Sequence, residues 1–123
     1  MFKTERNLNK KSTLVENKNF NNQRITNMTI KEYSERALKT AVYPENRSII
    51  YPVLGLAGES GEVAEKVKKT IRDYKGEFDE ERRWLIAREL GDVLWYVNAL
   101  SRDIGYSLDE IARMNVEKLE TRL

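Results

Sequence analysis

Cysteine and histidine are both absent from the 123 residues. Without them there are no disulfides, thiol nucleophiles or histidine bases, and no nitrogen or sulfur side-chain ligands of the kind that zinc and iron–sulfur centres use. Any resident metal must sit on carboxylates, carbonyls or water, which selects a hard cation such as magnesium, manganese or calcium. Long apolar runs are missing too: none approaches the ~18 residues of a membrane span, and the N-terminus lacks the apolar stretch of a secretory signal. The expectation is a soluble cytoplasmic protein with no membrane partner, built as one domain.

Charge of either sign is nearly balanced, 22 Lys and Arg against 20 Asp and Glu, for a net +2. The surplus is local. Residues 1–27 carry six Lys/Arg and two Glu, net +4, which leaves residues 28–123 at −2. An acidic folded part is not a nucleic-acid footprint, so no nucleic-acid partner is expected. Residues 1–27 also hold seven Asn and few apolar residues in no periodic order. They read as a disordered extension, and residues 28–123 as the folded domain.

From Thr29 onward the patterning predicts helices and no strands. Thr29-Ile30-Lys31-Glu32 is a capping box that opens the first helix, and Pro44 stops it by disfavouring the α conformation at Tyr43. A second helix runs from about Tyr51 or Pro52 to about Asp73, with Leu56, Val63 and Val67 as its buried stripe. A third starts near Asp79 and runs to Asp103, stopped by Gly105. Along it Ile86, Leu90, Val93, Val97, Leu100 and Ile104 recur at 4, 3, 4, 3, 4, a heptad seam. Ser107-Leu108-Asp109-Glu110 caps a fourth helix that continues to the end. The predicted class is all-α, a four-helix bundle.

Two acidic pairs stand out on these helices. Glu59 and Glu62 are three apart on the second, and Glu89 and Asp92 are three apart on the third, so each pair shares a face. If the two helices pack antiparallel, four carboxylates converge, and they repel one another unless a cation lies between them. Acidic i,i+3 pairs are also ordinary decoration on solvated faces. Two features favour the metal reading. Gly58 and Gly61 interrupt the helix beside the first pair, where a backbone or ligand would approach closely, and Glu89 and Asp92 adjoin the seam residues Leu90 and Val93. On the fourth helix Asn115, Lys118 and Arg122 fall at i, i+3 and i+7, one stripe suited to phosphate oxygens. Lys68 and Lys69 are further phosphate candidates, with a solvated helix face as the plainer account.

Gly55-Leu56-Ala57-Gly58-Glu59-Ser60-Gly61-Glu62-Val63, then Glu89-Leu90-Gly91-Asp92-Val93-Leu94-Trp95, then Asn115-x-x-Lys118, resembles the MazG-like nucleotide pyrophosphohydrolases. The shared pattern is Glu-x-x-Glu followed by Glu-x-x-Asp, here with 26 residues between Glu62 and Glu89. The resemblance covers about residues 29–123. It implies an all-α bundle completed by oligomerisation, which cleaves a nucleoside triphosphate between the α and β phosphates and leaves a monophosphate and pyrophosphate. It implies that Glu59, Glu62, Glu89 and Asp92 hold Mg2+, with Mn2+ able to substitute, and that Asn115, Lys118 and Arg122 face the nucleotide. Asn98 is a candidate for base or sugar, or else a buried polar residue of the seam. In the absence of histidine and cysteine, a water activated by the cation is the simplest nucleophile, with Glu62 the candidate to orient it. The chain departs from the family at Gly58, where two adjacent acids are usual. The short glycine-containing basic segment that ends many relatives is expected to be missing, and its phosphate contacts with it.

The competing reading is a non-catalytic helical partner-binding or regulatory bundle. A di-iron bundle needs Glu-x-x-His motifs and is excluded. About 95 residues make a marginal core, and the third helix carries Trp84, Leu85, Leu94, Trp95 and Leu100 beyond one face. A homodimer or homotetramer is therefore expected.

Overall fold

The computed structural model describes residues 27–122. Four α-helices occur among them: α1 (Ile30–Leu38), α2 (Ile50–Asp73), α3 (Glu80–Asp103) and α4 (Leu108–Glu120), with a 3-10 turn at Glu45–Arg47 and no strand. The fold is all-α, as the patterning predicts. The expectation for the N-terminal extension falls on residues outside the described ones, Asn27 apart.

Local chemistry sets most helix ends. Thr29, Asp79 and Ser107 sit in extended conformation, and their side chains accept from the amides of Glu32, Arg82 and Glu110, so each satisfies a donor that the first turn leaves open. α3 ends in a Schellman motif. Gly105 is left-handed at φ 85°, its amide donates to Arg102, and the Tyr106 amide donates to Ser101. One end differs from expectation. α1 stops at Leu38, before Pro44 as expected, but α4 stops at Glu120, so Arg122 lies past the C-cap Thr121 and outside the helix that carries Asn115 and Lys118.

α2 and α3 form an antiparallel hairpin. Gly55 meets Tyr96, Lys66 meets Glu89 and Tyr74 meets Arg82, so numbers rise on one helix as they fall on the other. α1 packs on α3 and α4, α4 on α1 and α3, while α2 packs extensively only on α3. Asp92, Trp95 and Asn98, one residue per turn of α3, face the first helix: Trp95 Nε1 donates to Thr40 Oγ1 at 2.8 Å, and Asn98 is bonded to Ser34. At 100° per residue, Ile86, Leu90, Val93 and Val97 lie on the opposite side.

That opposite side is only partly covered within one chain. The buried residues among those described are Pro52, Thr70, Arg82, Asn98, Ala99, Ser101 and Leu108, and only Pro52, Ala99 and Leu108 are apolar. Leu56, Val63 and Val67 are half-buried, so the stripe expected to be buried on α2 is only partly so. In the heptad seam Leu90 is 51% and Ile104 47% exposed, and the other four residues are half-buried. The periodicity marks the apolar side correctly; a single chain does not close it. No helix among the described residues is long and apolar enough to cross a membrane.

Candidate metal and nucleotide site

The hairpin brings three of the four predicted acids together. Glu59 of α2 and Glu89 and Asp92 of α3 each place one carboxylate oxygen so that all three lie within 4.8 Å of one another, and all three residues are half-buried. Glu62, also half-buried, contributes no oxygen to that set, but its charge acts on Glu59. Burial, and then the like charges of Asp92, Glu89 and Glu62, push the Glu59 carboxyl above the ordinary carboxylate range. The groove therefore resists full ionisation in the bare protein.

This has a sign that can be tested. A folded-state value raised above the unfolded one favours the protonated form, so the contribution to stability is present at low pH and lost as pH rises through the folded value. A cation-free Glu59→Gln chain should thus melt higher than wild type at pH 7, with the gap closing as pH falls into the carboxylate range. Melting curves across pH check it, and a variant that melts lower at pH 7 contradicts it.

Groups that the sequence reading missed complete the groove. Lys66 Nζ lies 3.8 Å from Glu89 Oε1. It is four residues past Glu62 and seven past Glu59, a spacing that puts it on the same face. Tyr33 of α1 is half-buried, and burial together with the nearby charge of Asp92 raises its hydroxyl above the ordinary value. Burial raises the Tyr96 hydroxyl, as do Tyr51, Glu59 and Asp92 in smaller measure. Both phenols are therefore held neutral at the edge of the acids.

Tyr96 begins an aromatic wall. Tyr51 lies 6.4 Å from it between ring centroids, Tyr43 stacks on Tyr51 at 4.9 Å, and Trp95 sits edge-on to Tyr96 at 4.9 Å. The ring of Tyr96 occupies the space that a Cβ at Gly55 would need. The close approach on α2 is thus at Gly55, whereas Gly58 and Gly61 face open space.

The remaining predicted residues lie outside the close acid set. Asn98 is 2% exposed; its amide oxygen accepts from Ser34 Oγ at 2.7 Å and its Nδ2 donates to the Ser34 carbonyl at 3.3 Å. Lys69 is 42% exposed at its side chain and 3.7 Å from Glu65 Oε1. Asn115 and Lys118 on α4, and Arg122 beyond it, are exposed.

The family described as the MazG nucleotide pyrophosphohydrolase domain matches residues 50–123. The chain is also similar to the gene 37 protein of Mycobacterium phage L5, 38% identical over 101 residues that cover 77% of this chain and 89% of that protein. No solved structure matches.

Proposed function

The chain belongs to the MazG nucleotide pyrophosphohydrolase family, and from that premise we propose that it cleaves nucleoside or deoxynucleoside triphosphates between the α and β phosphates. The products are a monophosphate and pyrophosphate, the cation is magnesium, and the role is clearance of unwanted nucleotides from the cytoplasmic pool. One observation carries the reading: Glu59, Glu89 and Asp92, from two helices, present three oxygens within 4.8 Å of one another.

The donor set fits the cation. It consists of carboxylates alone, it is half-buried, and its mutual repulsion is relieved by a hard divalent ion, with manganese as substitute. When bound, such an ion lowers the pKa of a coordinated water and offsets phosphate charge. The protein supplies the rest. Glu62 adjoins the three ligands and is assigned the orientation of the attacking water. Lys66 offsets negative charge beside Glu89, with Lys69 nearby on the same helix for phosphate oxygens. Tyr51 and Tyr96 offer ring faces to the base, and Tyr33 a hydroxyl to an anionic oxygen. Asn98 is assigned to fastening α1, and through it Tyr33, to α3. Asn115, Lys118 and Arg122 belong to a segment that does not pack along α2, which fits phosphate contacts made to the groove of a second copy.

The partly covered apolar side would equally serve a non-catalytic partner-binding bundle. The acid groove favours the enzyme, because surface decoration does not need three half-buried carboxylates on facing helices. A panel of ribo- and deoxyribonucleoside triphosphates, assayed with magnesium, tests the choice. Pyrophosphate release that stops on chelation is expected; silence across the panel with both magnesium and manganese contradicts it.

A further inference from the structure

One carboxylate fastens the connection between α1 and α2 to the far end of α3. Asp103, the last residue of α3, has a side chain only 5% exposed. Its Oδ2 accepts from the Tyr43 hydroxyl at 2.8 Å and from the Ile49 amide at 2.9 Å. Its Oδ1 accepts from Nε and a terminal nitrogen of Arg102, both at 3.3 Å, and that same terminal nitrogen donates to the Tyr43 hydroxyl at 2.8 Å. Several donors therefore converge on one carboxylate and hold it well ionised: against the cost of burial, the Ile49 amide, the Tyr43 hydroxyl and Arg102 draw its pKa below the ordinary range.

The amide that Asp103 holds belongs to a strained residue. Ile49 has φ 67° and ψ −57°. It is the centre of a γ-turn closed by a 2.8 Å bond from the Ile50 amide to the Ser48 carbonyl. Positive φ is a genuine outlier for a β-branched residue, and such a conformation persists only where its surroundings over-determine it. α2 starts at the next residue, and no side chain of its own caps it. Asp103 thus sets where α2 begins and at what angle.

The effect is transmitted to the acid groove. Tyr43, gripped by Asp103, stacks on Tyr51 with planes 21° apart, and Tyr51 lies against Tyr96. Tyr96 is one turn past Asp92 on α3, and Gly55 is one turn before Glu59 on α2. The geometry points to Asp103 as a positioning residue for the nucleotide, a latch that locks Tyr43 and the start of α2 so that Tyr51 and Tyr96 stand as one wall beside Glu59 and Asp92. This rests on the function proposed above, since the wall matters only if a nucleotide lies against it. Asp103 touches neither substrate nor cation in this account, so its loss acts on nucleotide affinity and spares the chemical step.

Two variants test the latch. Asp103→Asn leaves one acceptor oxygen and turns an amide donor toward the converging donors, while Tyr43→Phe deletes one latch bond and keeps the stacked ring. Each is titrated calorimetrically with an α,β-methylene triphosphate in magnesium, and KM, kcat and the magnesium requirement are measured for pyrophosphate release. Asp103→Asn should bind the analogue roughly tenfold more weakly and raise KM by a similar factor. Its kcat should stay within about twofold of wild type and its magnesium requirement should not change, because ligands and water-orienting acid are untouched. Tyr43→Phe should move the same way by less, and it decides the matter alone if the carboxylate variant does not fold. Wild-type affinity and KM in variants that merely melt lower would make Asp103 structural and overturn the latch, as would a fall in kcat at constant KM. In either case wild-type turnover would leave the proposed function standing. A wild-type chain that neither binds the analogue nor releases pyrophosphate overturns both.

Discussion

Asp92→Asn should release pyrophosphate at least about a hundredfold more slowly than wild type at saturating magnesium, with helical content unchanged. Substituting groups that only orient metal ligands typically costs 10–100-fold in affinity or activity, and Asp92 is assigned as a ligand itself. It also stands where three elements meet: on α3, within 4.8 Å of an oxygen of Glu59 across the hairpin, and near Tyr33 of α1. The loss should persist at high magnesium if the carboxylate positions the ion and does more than recruit it. Glu62→Gln should fall by a comparable factor while keeping more of its magnesium affinity, because Glu62 contributes no oxygen to the close set. Calorimetric magnesium titration beside the turnover assay separates the two. Near wild-type turnover in Asp92→Asn would remove the acid groove from the reaction.

A charge at the edge of the partly covered side should produce the second large effect. Leu90, 51% exposed, lies on the seam side of α3, and Leu94, 41% exposed, lies between that side and the one that faces α1. Wild type should sediment at micromolar concentration as a dimer or larger, and Leu94→Glu as a single chain. A fully buried leucine stabilises by roughly 1.5–3 kcal/mol, and an unpaired charge in its place adds a desolvation cost. A tenfold change in Kd corresponds to about 1.4 kcal/mol, so association should weaken by more than tenfold. The single chains should also turn over slowly, since Asn115, Lys118 and Arg122 are assigned to a neighbour's groove. A wild-type single chain with full activity would contradict both the interface and that assignment.

What was legible beforehand follows the range of the interactions involved. Helix starts at Thr29, Asp79 and Ser107 depend on a side chain and an amide three residues apart, and such short-range chemistry is written in the sequence. The acid pairs were legible for the same reason, since i,i+3 spacing fixes a common face, and the antiparallel hairpin then brings three of the four acids together. The partners brought in from other elements were not. Tyr33 reaches Asp92 only because α1 lies against α3, and Tyr96 meets Gly55 only because the hairpin register places them opposite. The glycines beside the acids drew attention to Gly58 and Gly61, whereas the packing requirement falls on Gly55. Asn98 illustrates the limit. Its place on the seam was visible, but its bonds to Ser34 span 64 residues, and no local pattern announces them. The heptad seam of α3 shows a second limit. Periodicity tells which side of a helix is apolar and is silent on whether the same chain covers it.

Phosphorus NMR of the reaction mixture reports which phosphoanhydride bond is broken. The wild-type chain, a nucleoside triphosphate and magnesium should yield monophosphate and pyrophosphate signals that grow in equal amounts, with neither diphosphate nor orthophosphate appearing and with chelation stopping both. Orthophosphate growing with nucleoside diphosphate would place the cleavage at the wrong bond, and an unchanged triphosphate spectrum in magnesium would deny the hydrolysis altogether.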